Sequence, residues 1–531
     1  MITLNNLFYM KKTLMLAGCM LGLTMAASAQ TSFTKSYQFA DYGVLIHPLS
    51  ATGEYLMVGK SIDPVSNLPT SYVRVDANGQ VLGSASTSPA QSDMEMVTLA
   101  KLADGRLVAG GYDFDGQSLD ATITELDANG VPQRVRNMSY GLVGYWGNLV
   151  PTRDSGFVAL GMGYMTTPYY RAVIAKFDAQ GDTVWTRGYG RPDFEEQFTA
   201  GTELPSGDIL AVGRSDDYFL GTDPVIMHCI SATGQRKWAK TYTIQGQSLR
   251  PNALVRDGEK VYLSISVMDT INFENRGGIM ALDTSGNVLW AQLMAGPDYT
   301  EANAIALAPG GNPVVLGGYY TSQTSYGMST GWSPSGNLLW SNGYYHGSSV
   351  YGVAPVQGGY LLSMVDYDGV QNQMGRLTLV GPQFATAAGC GPQLPALQVT
   401  PMTVTAANYN PTTRTGFSII PLNLGTPALT FDDSTLCSGL VGTAVAAPSV
   451  QARVVPQPMH THARIELPAS LDMSQLNLEV YDLSGRKVGI HAQPNGGGFD
   501  LERGGMPAGI YAYQVLHDGQ RVASGKLWIA D

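Results

Sequence analysis

Charged side chains are scarce in this chain of 531 residues, since Lys, Arg, Asp and Glu together make up 14% of it. The 31 basic residues are outnumbered by 42 acidic ones, which gives a formal net charge of -11. A nucleic-acid surface requires clustered Lys and Arg, and the sequence has no such cluster. Beyond the N-terminal segment, no apolar run approaches the ~20 residues that a transmembrane helix requires. We therefore expect neither a nucleic-acid partner nor a transmembrane segment.

Catalytic and metal-binding motifs are also missing. None of the seven histidines has the spacing of a zinc site or of an HExxH helix, and no G-x-S-x-G nucleophile elbow occurs. Asp113 and Asp115 open a segment with only part of the ligand ladder of a calcium loop, so a polar turn is the better interpretation. Asp193, Glu195 and Glu196 could supply a carboxylate pair, although acidic pairs in loops are usually solvated. The sequence thus predicts no metal, no cofactor and no assignable catalytic residue.

The N-terminus has the features of an export signal. Lys11 and Lys12 precede a short apolar run, and small residues follow that run up to Ala29. This order predicts a signal peptide over residues 1–29, with cleavage between Ala29 and Gln30. An alternative is the lipobox-like segment that ends at Cys19, but it leaves too few apolar residues after Lys12 for the hydrophobic region of a signal.

Cysteine is rare as well, with four residues in the chain. Cys229 lies in an apolar strand pattern and is predicted to be a buried free thiol. Cys390 and Cys437 lie in one Pro/Thr-rich region of a chain predicted to be exported, where oxidation is permitted. We expect these two cysteines to form a disulfide.

Glycine and tyrosine are abundant, with 63 and 28 residues, which suits short strands joined by glycine turns. A four-residue turn signal that ends in glycine recurs about every 51 residues. It occurs at residues 76–79, 127–130, 178–181, 231–234, 283–286 and 333–336. Seven further glycines, from Gly53 to Gly359, run in phase with it, and each opens an apolar run. The chain therefore contains seven units, each with four short runs bounded by turn residues.

Seven units of four strands predict an all-β chain in which residues 30–383 form a seven-bladed β-propeller. A β-solenoid is the alternative, although its coils are usually shorter than this repeat. We expect the first unit to begin at Ser32 with a complete set of strands. Residues 384–450 lose the periodicity and are predicted to be a Pro/Thr-rich spacer. Residues 451–531 alternate apolar and polar residues in short runs, which predicts a small β-sandwich.

Four tryptophans recur at the same phase of the repeat: Trp185, Trp238, Trp290 and Trp340. A residue at repeat phase is expected to pack between neighbouring blades, because every blade must solve the same burial problem. The segment from Ala281 to Trp290 also resembles the tryptophan-docking repeat of pyrroloquinoline-quinone dehydrogenases. The adjacent cysteine pair that many of those enzymes carry is missing, so no quinone cofactor is expected.

The C-terminal region carries a set of short motifs in a fixed order. Their positions are Pro456 and Pro458, then Tyr481, Gly485 and Arg486, then Gly509 and Tyr511, and finally Lys526. This order resembles the C-terminal sorting domain of the type IX secretion system of Bacteroidetes-type bacteria. The resemblance implies that the type IX machinery is a partner, that the chain crosses the outer membrane, and that it ends on the cell surface or in the medium.

The connections between strands fall into two classes. Tight turns are expected to share one face of the propeller, with the four-residue turns joining neighbouring units, and long irregular loops to share the other face. Rigid scaffolds present function on such loops, and Tyr offers a flat amphipathic contact surface. The candidate ligand-binding residues on this long-loop face are Tyr145, Trp146, Tyr164, Tyr169, Tyr170, Tyr319, Tyr320, Tyr344 and Tyr345.

A binding module for glycan or protein ligands is the function that this pattern favours. Two alternatives stay open. The first is a secreted propeller enzyme, either a glycoside hydrolase or a polysaccharide lyase, and the second is a structural surface adhesin. An enzyme is expected to show converging carboxylates or a Tyr/His pair at the propeller axis, so the axial residues distinguish these functions best.

Overall fold

The structure of the protein is a computed structural model. It describes residues 30–37, 45–49, 53–60, 70–87, 93–114, 117–139, 144–164, 169–191, 194–216, 223–272, 274–295, 299–321, 324–345, 349–356, 359–367, 373–386, 391–392, 397–408, 412–414, 418–422, 433–441, 452–467, 476–481, 487–517 and 520–530. These residues form strands, turns and bends without a helix, so none of them belongs to a helix that could span a membrane. The chain divides into two compact units, Met1–Thr443 and Ala444–Asp531.

The first unit contains thirty-four strands: β1 (Gln30–Tyr37), β2 (Leu45–Pro48), β3 (Tyr55–Lys60), β4 (Thr70–Val75), β5 (Val81–Thr87), β6 (Asp93–Lys101), β7 (Leu107–Phe114), β8 (Leu119–Leu126), β9 (Pro132–Ser139), β10 (Gly144–Pro151), β11 (Phe157–Tyr164), β12 (Tyr170–Phe177), β13 (Thr183–Gly190), β14 (Glu195–Glu203), β15 (Ile209–Asp216), β16 (Val225–Ile230), β17 (Arg236–Thr243), β18 (Gln247–Asp257), β19 (Lys260–Asp269), β20 (Asn275–Asp283), β21 (Val288–Ala295), β22 (Tyr299–Thr300), β23 (Ala304–Leu307), β24 (Pro313–Tyr320), β25 (Ser325–Trp332), β26 (Leu338–Tyr344), β27 (Ser349–Val356), β28 (Gly359–Tyr367), β29 (Gln373–Val380), β30 (Gln398–Pro401), β31 (Thr405–Asn408), β32 (Thr412–Arg414), β33 (Ser418–Leu422) and β34 (Asp433–Val441).

The strands of the first unit form seven small antiparallel sheets, numbered here in chain order. Sheets 1 to 5 are built on β2–β5, β6–β9, β10–β13, β14–β17 and β18–β21, and sheet 6 on β22–β26, with β22 and β23 both pairing with β24. Sheet 7 is built on β27, β28, β29 and β1. The innermost strands β2, β6, β10, β14, β18, β23 and β27 each contact the next, and β27 contacts β2 again. The first unit is therefore propeller-like, with repeated sheets arranged around a common centre.

The first strand of the chain does not belong to the first sheet. Strand β1 pairs with β29 of sheet 7, with Thr34 opposite Thr378 and Tyr37 opposite Gly375. The expectation that the first unit begins at Ser32 with a complete set of strands is therefore wrong. Sheet 7 has only three consecutive strands of its own, and the N-terminal strand supplies the fourth position.

The region predicted to be a spacer carries regular structure instead. Strands β30, β31, β32 and β33 add a fifth, outermost strand to sheets 5, 4, 3 and 2, in that order. Strand β34 then pairs with β1 on the outside of sheet 7. These five strands, named here the belt, run around the sheets against the direction of the repeat. Sequence periodicity could not reveal the belt, because each of its strands occurs once and takes its register from an existing edge.

The recurring four-residue signal forms the same type of turn each time, between the third and fourth strands of a sheet. At residues 283–286, Asp283 Oδ1 accepts hydrogen bonds from the backbone N–H groups of Ser285 (2.9 Å) and Asn287 (2.8 Å). Gly286 ends the turn at φ +74°, in the left-handed region that glycine favours. The turn thus lies within a sheet, which corrects the expectation that it joins neighbouring units.

The turn glycines also meet side chains from the preceding sheet, which are aromatic at Gly234, Gly286 and Gly336, while Gly130 meets Leu56 and Gly181 meets Glu125. A Cβ atom added at Gly286 would lie 2.7 Å from the hydroxyl of Tyr242 and 2.9 Å from the ring of Trp238. Trp185 and Trp290 make the equivalent contact and donate their Nε1–H to carbonyl oxygens in the turn of the next sheet, at 3.0 Å and 3.1 Å. The tryptophans therefore pack between neighbouring sheets, as their repeat phase predicted.

Sheet 7 has a phenylalanine at the turn position that glycine occupies in the other sheets. The turn after β29 has the same backbone hydrogen bonds, but Phe384 takes the glycine position at φ +60°. Its ring stacks on Tyr360 with centroids 4.1 Å apart and faces Trp340 of sheet 6 at 6.0 Å. An aromatic contact thus replaces the glycine contact where the chain leaves the repeat.

The second unit contains eight strands: β35 (Arg453–Val455), β36 (His462–Glu466), β37 (Leu476–Tyr481), β38 (Lys487–Val488), β39 (His491–Pro494), β40 (Gly498–Glu502), β41 (Gly509–His517) and β42 (Gln520–Ile529). They form two four-stranded antiparallel sheets, ordered β35-β36-β40-β39 and β38-β37-β41-β42. One core joins the two sheets, since Ile465 and Phe499 of the first pack in the same cluster as Val515 and Leu527 of the second.

Replacing Gly286 by alanine tests the contact between neighbouring sheets. Gly207 is the matched control, because it has φ +81° but nothing within 4 Å of an added Cβ. Left-handed backbone strain alone is expected to cost Gly207→Ala about 1–2 kcal/mol of unfolding free energy. Gly286→Ala adds the clash with Trp238 and Tyr242, on the order of 1–3 kcal/mol more. Urea unfolding followed by tryptophan fluorescence measures the difference, and equal losses would contradict the role of the contact.

A cysteine pair at Thr34 and Thr378 tests the closure of sheet 7. The hydroxyl oxygens of these two threonines are 3.1 Å apart, and opposite residues of antiparallel strands have the Cα spacing that a disulfide needs. The double variant is expected to form a disulfide and to gain up to about 5 kcal/mol from the long closed loop. Non-reducing peptide mapping and thermal melts with and without reductant check this, with both single variants as controls. Two free thiols in the oxidised double variant would exclude the pairing.

Candidate functional site

A β-bulge recurs at the same place in the innermost strand of successive sheets. The register shifts after Met96 in β6, after Trp146 in β10, after Phe198 in β14, after Pro251 in β18 and after Val350 in β27. In sheet 6 the gap between β22 and β23 takes the place of the bulge. A bulge leaves one residue out of the ladder and re-aims its side chain. The innermost edges of sheets 2 to 7 therefore each present one unpaired residue at the same level, whereas β2 of sheet 1 pairs with β3 without a register shift.

The unpaired residues converge on a pocket of about 300 Å³ at the centre of the first unit, named here the axial pocket. Its lining consists of Val97, Tyr145, Gly147, Thr199, Pro251, Asn252, Asn303 and Tyr351, which come from six sheets. No carboxylate, histidine or basic side chain is among these described lining residues. The axial pocket is thus aromatic and polar without a formal charge in its wall.

Hydrogen bonds tie the axial residues to the next sheet around the centre. Thr199 Oγ1 donates to the carbonyl oxygen of Pro251 at 2.9 Å. Asn252 Nδ2 donates to the carbonyl oxygen of Ala302 at 2.8 Å, and Asn303 Nδ2 donates to Ser349 Oγ at 2.8 Å. The pocket wall is therefore fixed by bonds that also join neighbouring sheets.

A second ring lies two residues before each axial residue on the same strands. Its members are Glu95, Tyr145, Gln197, Arg250, Glu301 and Ser349. These positions precede the bulges, so they lie nearer the ends of the sheets that carry the long loops. Tyr145 and Gln197 are joined by a hydrogen bond of 2.7 Å, and burial raises the pKa of the Tyr145 hydroxyl.

Glu301 is the centre of the densest polar cluster beside the axial pocket. Its Oε1 accepts from the hydroxyl of Tyr299 at 2.6 Å, and its Oε2 accepts from Ser349 at 2.7 Å, Asn303 at 3.0 Å and Tyr320 at 3.1 Å. Burial, with a smaller contribution from the Glu301 carboxylate, raises the pKa of both tyrosines. Four donors thus hold this carboxylate, whose main effect is to orient the groups around it.

A second pocket of about 280 Å³ opens between sheets 3 and 4, named here the side pocket. Its lining consists of Met162, Tyr170, Glu195, Glu196, Gln197, Arg214 and Asp216. Arg214 Nε lies 3.3 Å from Asp216 Oδ1, and burial raises the pKa of the Asp216 carboxyl. The buried Glu196 accepts from Arg191 and Ser215, each at 3.2 Å. Because Gln197 also bonds to Tyr145, the two pockets share one polar wall.

The predicted aromatic contact residues divide between the surface and the core. Trp146, Tyr319 and Tyr344 are at most 1% exposed, so the prediction that they contact a ligand is wrong. Successive side chains of a strand point to opposite faces of its sheet, and these three side chains point into the packing between neighbouring sheets. Five of the remaining candidates are half-buried or exposed: Tyr145 and Tyr320 lie beside the axial pocket, Tyr170 lines the side pocket, Tyr169 is half-buried, and Tyr345 is exposed. The side chain of Tyr164 lies outside the described residues.

Several other predicted residues can be placed only in part. Four predicted features lie outside the described residues: the signal peptide with Ala29, Cys390, Gly485 and Arg486. Strand β1 begins at Gln30. Cys437 belongs to β34 without a described side chain, so the disulfide stays a prediction. Cys229 is a buried free thiol, as expected.

The predicted sorting motif lies on the strands of the second unit and on the segment before them. Pro456 and Pro458 follow β35, Gly509 and Tyr511 lie in β41, and the exposed Lys526 lies in β42. Tyr481 donates to Glu479 at 2.6 Å. Hydrogen bonds from Lys487, Tyr481 and Gln514 lower the pKa of Glu479 to about 2.

The axial residues were missed from the sequence alone. They recur at the same phase of the repeat, which was the available signal, but their types differ from sheet to sheet: valine, glycine, threonine, asparagine and tyrosine. A search for repeated residue types therefore passes over a position that repeats only in geometry. In the described part of the chain, no group of three or more His, Cys, Asp or Glu residues is placed to hold a metal ion.

A match to a family model supports the repeat architecture. A family model described as outer membrane protein assembly factor BamB matches residues 171–368, which cover sheets 4 to 6 and parts of sheets 3 and 7. No curated protein matches the chain in sequence. Among solved structures, a polysaccharide lyase, Uly1, aligns with a TM-score of 0.44 and 8% identity over 65% of this chain and 91% of that one. The chain is thus similar to propeller-like repeat proteins over its central sheets.

Proposed function

We propose that this protein is a secreted or cell-surface binding module, in which a seven-bladed β-propeller presents a glycan or protein ligand site around its axis. Seven sheets whose innermost strands contact in a closed cycle support the blade count. The two sheets of the second unit, with their common core, support a small C-terminal β-sandwich.

The axial pocket is the observation on which the binding function rests. Six sheets contribute to it, and Tyr145, Thr199, Asn252 and Asn303 are hydrogen-bonded to the next sheet, so much of the site is formed before a ligand arrives. A preformed concave site with aromatic walls and few polar groups is typical of ligand recognition. Tyr145 and Tyr351 offer flat faces to a ligand, while Thr199, Asn252 and Asn303 offer polar contacts.

The nearby carboxylates fit an electrostatic role better than a catalytic one. Glu301 spends both oxygen atoms on four donors from its own sheet and the next. Glu95 accepts a hydrogen bond from the hydroxyl of Tyr112 on the neighbouring strand. A general acid or nucleophile must instead direct an oxygen atom at the reacting bond. We therefore favour binding over hydrolysis or elimination at this site.

Truncation of Tyr351 tests the site. In an array of bacterial and host glycans and surface proteins, the purified protein is expected to bind a defined ligand set. Tyr351→Ala is expected to weaken that binding by about 1 kcal/mol or more, because aromatic anchors dominate such interfaces. Tyr169→Ala tests whether the interface extends to the loops. The control is Asn129→Ser, which alters an exposed turn residue on the opposite face. Binding that is lost equally in all three variants, or no binding at all, would favour a structural adhesin.

We further propose that the second unit directs export through the type IX system to the outer-membrane surface or the medium. The motif order in residues 456–526 supports this route, and the compactness of the unit supports its acting as a separate module.

A reporter fused to residues 451–531, behind a signal peptide, tests the route. It is expected to reach the surface of a type IX-competent host and to stay in the periplasm of a secretion mutant. Cell fractionation and protease accessibility measure its location. A fusion that lacks residues 509–531 is the control, and equal surface display in both hosts would exclude the proposal.

A further inference from the structure

The two asparagines of the axial pocket have used all of their donors. Asn252 Nδ2 donates to Ser266 Oγ at 2.9 Å and to the carbonyl oxygen of Ala302 at 2.8 Å. Asn303 Nδ2 donates to Glu301 Oε2 at 3.0 Å and to Ser349 Oγ at 2.8 Å. An asparagine amide carries two N–H groups, so neither side chain has one left for a ligand. A carbonyl and a carboxylate can only accept, which fixes the orientation of both amides.

Their carbonyl oxygens are consequently the groups that remain for a ligand. Neither Asn252 Oδ1 nor Asn303 Oδ1 accepts a hydrogen bond from any residue that the structure describes. Thr199 is similar, because its hydroxyl group donates its hydrogen to the carbonyl oxygen of Pro251. The lone pairs of the Thr199 hydroxyl oxygen can therefore accept a hydrogen bond from a ligand. Three consecutive sheets thus contribute acceptors to one side of the axial pocket.

The surroundings of the pocket add negative potential. The ring two residues before the axial residues contains two carboxylates, Glu95 and Glu301, and one cation, Arg250. Arg250 lies 3.4 Å from Asp223, which offsets its charge. Tyr145 and Tyr351 add ring faces, and a cation over an aromatic face is attracted by the ring quadrupole. Acceptors, carboxylates and aromatic faces all favour a cation that carries several N–H donors.

We propose that the axial pocket recognises a protonated primary amine, as carried by an amino sugar or by a lysine side chain. This inference rests on the proposed binding function and names its ligand chemistry. An ammonium group has three donors and no acceptor, so it matches the three oxygen acceptors. A sugar hydroxyl would in addition seek donors, which both asparagines have committed elsewhere. A divalent cation such as Ca²⁺ takes six to eight oxygen ligands that include carboxylates, and no carboxylate is among the described residues of the pocket wall.

Isothermal titration of the purified protein with matched probes tests the proposal. The probes are a glucosamine tetramer and its fully N-acetylated counterpart, together with a lysine-containing peptide and its acetyl-lysine form, at a pH below the pKa of the sugar amine. At least one free-amine probe is expected to bind, and acetylation is expected to abolish that binding. Which probe binds distinguishes an amino sugar from a lysine side chain as the source of the amine.

Charge substitutions at Val97 sharpen the test. Val97 lines the pocket without any of the hydrogen bonds described above. Val97→Lys is expected to weaken binding of the amine by on the order of tenfold or more, and Val97→Glu to strengthen it, through Coulomb interaction in the pocket. Asn252→Leu and Asn303→Leu are expected to weaken it about fivefold or more. Asn129→Leu, on an exposed turn, is the matched control for the asparagine variants. Thermal melts confirm that each variant is folded.

The outcomes separate this inference from the proposed function. Equal binding of free and acetylated probes, or an unchanged affinity in both Val97 variants, would overturn amine recognition. Binding of other ligands that Tyr351→Ala weakens would then leave the propeller as a binding module with a different ligand chemistry. If no probe and no ligand of the array binds, both amine recognition and the proposed binding function are wrong.

Discussion

The contact between a bare turn glycine and a side chain of the preceding sheet recurs around the first unit and joins neighbouring sheets. Each four-residue turn needs a residue with positive φ at its end, and glycine is the residue that adopts this conformation at least cost. The absence of a side chain then gives a side chain of the preceding sheet a surface to pack on, and that side chain is a tryptophan in sheets 3, 4 and 5. Local backbone geometry and packing between sheets therefore depend on the same residue, which explains why the turn recurs with the repeat.

The axial pocket depends on that arrangement. Because neighbouring sheets are held at a fixed spacing, their innermost strands meet closely enough for bulge residues to bond across to the next sheet. Asn252 and Asn303 each use one N–H group on such a bond and the other within their own sheet, and the direction of these bonds leaves the amide oxygens for the pocket. The chemistry offered to a ligand is thus a consequence of how the sheets are joined.

Much of the first unit could be predicted from periodicity, because each sheet repeats the same turn and the same apolar runs. The role of the tryptophans followed from their phase. The position of β1 could not be predicted, since pairing between the two ends of a chain leaves no local pattern. The belt was missed for a related reason: its strands are short, unrepeated and defined by the edges they join. Among the loop aromatics, Trp146 and Tyr344 look like Tyr169 in the sequence, and only the direction of each side chain separates core from surface.

The belt has a consequence for the order in which the molecule can be completed. Strand β1 holds residues near position 30, and it lies between β29 and β34, whose residues come from near positions 380 and 440. The seventh sheet therefore cannot be completed until the chain has been synthesised to about residue 440. Sheets 1 to 6 can form their own strand pairs earlier, but the ring stays open until nearly the whole first unit has been made. The last strand of the belt thus links closure of the ring to completion of the first unit's synthesis.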